Sequence, residues 1–111
     1  MASKPEAYEI LKTLLNEEWL AVVATQMQRR PYTSLVAFVA SEDLRRIAFA
    51  TTRATTKYRN LSEEPGVSVL IDNRTHSVED YATGAAVTAI GRAAEVPADL
   101  AGPTVERFLG K

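Results

Sequence analysis

Between Trp19 and Val96 the apolar residues fall in short runs broken by turn-forming residues, and one of these runs, Tyr32 to Ala40, is apolar on both of its alternating faces. Tyr32, Ser34, Val36 and Phe38 share one face, and Thr33, Leu35, Ala37 and Val39 share the other. A strand of this kind needs cover on both sides, which an open sheet with one wet face does not supply. Trp19–Thr25, Ile47–Thr51, Val67–Asp72 and Ala85–Val96 read as further strands from their β-branched and small apolar content. Gln26–Pro31 is a polar turn between the first two strands, and Ser41–Arg46 turns the chain back into the third.

Two segments have helical spacing before the last strand. Ser3 and Glu6 have the spacing of a capping box, Pro5 sits in the first turn, and Ala7, Ile10, Leu11, Leu14 and Leu15 then fall on one face until Asn16–Glu18. Thr55 is placed to cap a short helix to about Glu64, which Pro65-Gly66 stops. Beyond Pro97 an amphipathic stretch puts Val105, Phe108 and Leu109 on one side. The expected chain is a helix, three meandering strands, a short helix and two more strands. That order predicts a mainly β fold with short helices, closed as a small barrel, in one domain spanning residues 1–111. Its apolar outer positions then need helices or a second subunit to cover them.

Charge and composition exclude several classes. The formal net charge is -1, so no global field draws nucleic acid or an acidic membrane, and any anion site is local. There is no cysteine, hence no disulfide framework, thiolate metal site or thiol nucleophile. Met1–Glu9 has no signal-peptide core, and no apolar run is long enough to span a bilayer. A soluble, cytoplasmic protein is expected.

The chemistry concentrates in Thr51-Thr52-Arg53-Ala54-Thr55-Thr56-Lys57, which leaves a strand and enters a helix. The first N–H groups of a helix lack intrahelical partners, and its dipole end is positive. With the threonine hydroxyls, and with Arg53 and Lys57 as charged donors, they form a place for a phosphate. The same residues also read as a threonine cap with two solvated cations. Elsewhere the signals are weaker. His76, Ser77 and Asp80 have the residue types of a hydrolase triad but crowd one loop, with no nucleophile elbow. His76 lacks companions for a metal site. Gln28-Arg29-Arg30 reads as a solvated hairpin tip, Glu63 and Glu64 as a helix surface, and Trp19 as a core or interface residue. An anion site without a side-chain nucleophile or base fits a protein whose cofactor carries the chemistry.

Phe49–Leu61, with Glu64-Pro65-Gly66 and the Val67–Arg74 run that follows, resembles the pyridoxamine 5'-phosphate oxidase-like family of FMN-binding split barrels. Ala86–Ala93 is similar to that family's fifth strand, and the resemblance covers roughly Trp19 to Val96. It implies a split β-barrel homodimer with two FMN molecules at the interface. It implies that Thr51, Thr52, Thr56 and Lys57 hold the phosphate, with Arg53 as a helper. The flavin ring would lie along Ser34, Leu35 and Val36, partly on backbone groups. Ala85 and Ala86 would reach it from the partner, and Asn73 and Arg74 match a pair near the ring edge. The implied activity is an FMN-dependent oxidoreductase. Deazaflavin F420 reduction and non-enzymatic flavin or haem binding, with His76 as an axial ligand, are alternatives. A basic, histidine-bearing C-terminal strand serves vitamin B6 substrates in the oxidase itself. The chain ends at Lys111 without one, so B6 oxidation is not expected. Family members also commonly continue past the final helix into one more barrel strand. This sequence stops within or just after that helix, so either the barrel closes differently or the sequence is a shortened version lacking the usual last strand.

Overall fold

The computed structural model describes residues 3–79, 82 and 84–111. Helix α1 spans Lys4–Glu17, and Ser3 caps it by accepting a hydrogen bond from the Glu6 amide at 3.2 Å. Strands β1 (Leu20–Met27), β2 (Arg30–Ala40) and β3 (Ile47–Phe49) form the expected meander. Helix α2 (Thr56–Glu63) follows, then β4 (Gly66–Asp72), β5 (Ala86–Arg92) and helix α3 (Ala98–Gly110). The strand order is β3-β2-β1-β4-β5, antiparallel throughout. The sheet curls as a half-barrel, and among the described residues β3 and β5 are its two edges.

The alternating pattern sorts the sheet into two faces. Ala21, Val23, Val36, Phe38, Val69 and Ile71 point inward and join Leu14 and Leu15 of α1 in one core. Val23 is wholly buried, and Phe38 and Ile71 are 1% exposed. Helix α2 is pinned to the same face. Asn60 Nδ2 donates to Thr25 Oγ1 at 3.0 Å, and both residues are buried. A buried amide and hydroxyl satisfy each other there, which fixes the helix over β1.

The opposite face, expected to be covered by helices or by a second subunit, is largely open in the single chain. The register aligns Leu20 with Ala37, Val22 with both Leu35 and Leu70, and Ser68 with Ile90. Partners in an antiparallel pair share a face, so these residues form one outward stripe. Leu35 is 64% exposed and Ile90 84%. Among the described residues nothing lies over them, although Val39 is buried beside α3 at the end of β2. Trp19, expected in a core or interface, is half-exposed rather than in the core.

Several boundaries also moved. The turn expected over Gln26–Pro31 is only Gln28-Arg29, both with positive φ (49° and 66°). This tight reversal matches the twist of the strands. Neither residue is glycine or asparagine, so the sequence lacked the usual mark. Strand β3 stops at Phe49, short of Thr51, and β5 stops at Arg92, short of Val96. The end of β5 follows from its partner: β4 begins at Gly66, and the last bond runs from the Ala93 amide to the Pro65 carbonyl. Val105, Phe108 and Leu109 do lie on a helix, but Leu109 is 82% exposed and no residue of α3 is fully buried.

Candidate functional site

Strand β3 pairs with only the last residues of β2: Phe38 with Phe49, Val39 with Ala48 and Ala40 with Ile47. Earlier residues of β2 therefore have a neighbour, β1, on one side only. The Phe38 amide bonds the Trp19 carbonyl on the β1 side. Backbone direction alternates along an antiparallel strand, so the N–H and C=O of Leu35 face the open side. Ser34 and Val36 aim their side chains at the inner face, and only Leu35 projects outward. Ser34 Oγ is buried without a hydrogen-bond partner among the described residues. Of the predicted trio, the free chemistry is thus the backbone edge rather than the side chains.

The predicted anion segment leaves the sheet beside that edge. The chain departs after Phe49, one register step before the level of Ala37. Thr52 to Thr55 then form a turn, with the Thr55 amide on the Thr52 carbonyl at 3.3 Å. Thr55 Oγ1 bonds Thr51 Oγ1 at 3.0 Å, donates to the Thr52 carbonyl at 2.9 Å and accepts from the Tyr58 amide at 3.1 Å. So Thr55 is a helix cap, as read from the sequence. The Arg59 amide bonds the Thr55 carbonyl, which leaves the Thr56 and Lys57 amides at the helix start without helical acceptors. Thr56 is exposed and Lys57 half-buried, and among the described residues no carboxylate pairs with Lys57.

Arg53 is held differently from the expectation of a free helper. Its Nη2 lies 3.4 Å from Glu95 Oε1, and the Tyr58 hydroxyl donates to the same oxygen at 3.2 Å. Both charged side chains are largely exposed, 78% and 63%, so this pair is a weak tether. Glu95 and Tyr58 were not singled out in the sequence. Glu95 lies 42 residues from Arg53, and no local pattern links them.

Asn73, Arg74, Ala85 and Ala86 do meet one another, at the other end of the β4–β5 hairpin. Asn73 Oδ1 accepts from the Ala85 amide at 2.7 Å, and the Asn73 amide bonds the Ala85 carbonyl. Arg74 pairs with Asp72. With Gly84 these residues line a cavity of about 210 Å³. Strand β5 has 7 residues, so its ends lie roughly 20 Å apart at ~3.3 Å per residue. Glu95, just beyond one end, marks the anion corner, and Ala85-Ala86 mark the other. Among the described residues no hydrogen bond or ion pair joins the two predicted groups.

The other residues weighed in the sequence contribute less. A larger cleft, about 410 Å³, lies among Leu15, Asn16, Val39, Ala40, Arg107, Gly110 and Lys111 and contains none of the predicted residues. Its cations are engaged: Arg107 donates to the Ala40 carbonyl and Lys111 Nζ to the Phe38 carbonyl at 3.0 Å. Burial against the Phe38 ring lowers the Lys111 pKa from its ordinary value. His76 sits in the loop after β4 with φ 61°, while Asp80 lies outside the described residues. Glu64, read as helix surface, has one carboxylate oxygen buried.

The model of pyridoxamine 5'-phosphate oxidase matches residues 8–110. The chain belongs to this family. No curated protein is significantly similar to it in sequence. Among solved structures, a protein of unknown function from Agrobacterium tumefaciens superposes with a TM-score of 0.81 at 22% identity, over 98% of this chain and 46% of that one. A haem-binding protein from Mycobacterium smegmatis gives 0.80 at 21% identity, over 98% and 44%. A FAD-binding protein from Mesorhizobium loti gives 0.68 at 24% identity, over 91% and 68%. The chain thus spans about half the length of the first two. These likenesses establish the split-barrel fold. No helix among the described residues is long and apolar enough to cross a membrane.

Proposed function

We propose that the chain is an FMN-binding flavoprotein that passes hydride or electrons through the flavin. The observation that carries this reading is one juxtaposition. The capped turn into α2, whose Thr56 and Lys57 amides have no acceptor among the described residues, carries the Lys57 ammonium and leaves the sheet beside the open backbone edge at Leu35. A phosphate suits the first feature, and the polar edge of a flavin ring suits the second. Thr51, Thr52, Thr56 and Lys57 would hold the phosphate. Arg53 would join after leaving Glu95, a small cost for an exposed pair. When bound, the flavin supplies the redox chemistry; the chain binds and orients it.

The ring side needs a second copy. Asn73, Arg74, Ala85 and Ala86 make no hydrogen bond or ion pair to the corner of their own chain among the described residues, and a partner would present them across the interface. The exposed stripe of Leu20, Leu35, Leu70 and Ile90 is the surface such a homodimer would bury.

Haem is the second reading, favoured by the haem-binding neighbour from Mycobacterium smegmatis. The absorbance spectrum of the purified protein separates the two. Flavin gives a yellow protein, haem a Soret band, and F420 absorbs at shorter wavelength than FMN. The site assignment has its own test. Thr56→Ala combined with Lys57→Ala is expected to weaken FMN binding by on the order of 1.5–3 kcal/mol while leaving the unfolding midpoint in place. Unchanged affinity in that double variant would remove the corner from the site.

A further inference from the structure

Glu95, from which Arg53 would part on binding a phosphate, holds two donors at the anion corner. Glu95 Oε1 accepts from both Arg53 Nη2, at 3.4 Å, and the Tyr58 hydroxyl, at 3.2 Å. It stands in the stretch between β5 and α3, after the sheet pairing has ended. No strand register obliges it to be there. Its carboxylate engages the cation that a phosphate at the start of α2 would use, and it places a negative charge beside that phosphate.

We propose that Glu95 is an internal competitor for the anion corner, and that a phosphate-bearing ligand must displace it from Arg53. This rests on the reading of Thr51–Lys57 as a phosphate site. In the free protein the carboxylate partly neutralises Arg53 and occupies the Tyr58 hydroxyl. In the loaded protein Arg53 turns to the phosphate, and Glu95, already largely exposed, turns to water. The exchange lowers affinity for every anion at the corner, and it does so through charge. It therefore grades ligands by their phosphate charge and leaves the flavin ring unaffected.

The test compares wild type, Glu95→Gln and Glu95→Ala in equilibrium titrations with FMN and with riboflavin, which lacks the phosphate. Inorganic phosphate is titrated separately by thermal shift. Gln keeps the size and hydrogen bonding of the side chain without its charge; Ala removes the side chain's contacts altogether. Both variants are expected to bind FMN and inorganic phosphate about fivefold more tightly, the size of one unit-charge attraction across ~4 Å of water-like surroundings, which wild type gives up when Arg53 leaves Glu95. Riboflavin affinity should not change, and the FMN gain should shrink as salt rises. FMN affinity that is equal or weaker in both variants overturns the inference, and a weaker value would make Glu95 a positioning residue for Arg53. FMN and riboflavin binding equally well to wild type and both variants, with no phosphate response, overturns the phosphate site and the inference with it.

Discussion

The two faces of the sheet carry similar residues and meet different fates. On the inner face Val23, Phe38 and Ile71 are sealed under α1 and α2. On the outer face Leu35 and Ile90 stand in the open, one register step from buried neighbours. Alternation tells which residues share a side, because the strand period is two. It does not tell whether the cover comes from the same chain. The contrast teaches that one side of the apolar pattern is used in the chain's own core, while the other stays open among the described residues.

That contrast is breakable by substitution. Phe38→Ala, at the centre of the inner face, should cost about 3–5 kcal/mol of stability in denaturant unfolding. Asn60→Ala should cost about 1–3 kcal/mol, because Thr25 Oγ1 would keep only its longer contact to the Tyr32 carbonyl at 3.5 Å. A loss as small as a surface change would mean that α2 is not pinned through Asn60. Leu35→Ala should stay within about 0.5 kcal/mol in dilute protein, as at other exposed positions. The same substitution should weaken self-association at higher concentration, read by sedimentation. A Leu35 effect as large as that of Phe38 in dilute protein would show that the outer face is covered within one chain.

Much of the fold was legible because its signals are local. Ser3 with Glu6, and Thr55 ahead of Tyr58, are caps written within a few residues, and both form the expected bonds. The meander was readable from apolar runs and the Ser41–Arg46 turn, where Asp43 binds Ser41 and the Arg45 amide. What was not legible is long-range. Thr25 with Asn60, and Arg53 with Glu95, are pairs whose meaning appears only when the sheet curls. Asn73 with Ala85 was read as a site and turns out first to be a hairpin clasp. The open edge at Leu35 depended on β3 ending at Phe49, and strand ends depend on where partners stop.

The proposed site therefore consists of two halves, an anion corner at Thr51–Lys57 and a clasp of Asn73, Arg74, Ala85 and Ala86, each contributed by a different chain. Native mass spectrometry of the protein after FMN addition tests this most directly. Two chains with two FMN molecules are expected, with the flavin lost when the dimer is broken by Ile90→Glu. A single chain that keeps FMN at undiminished affinity would contradict the shared site.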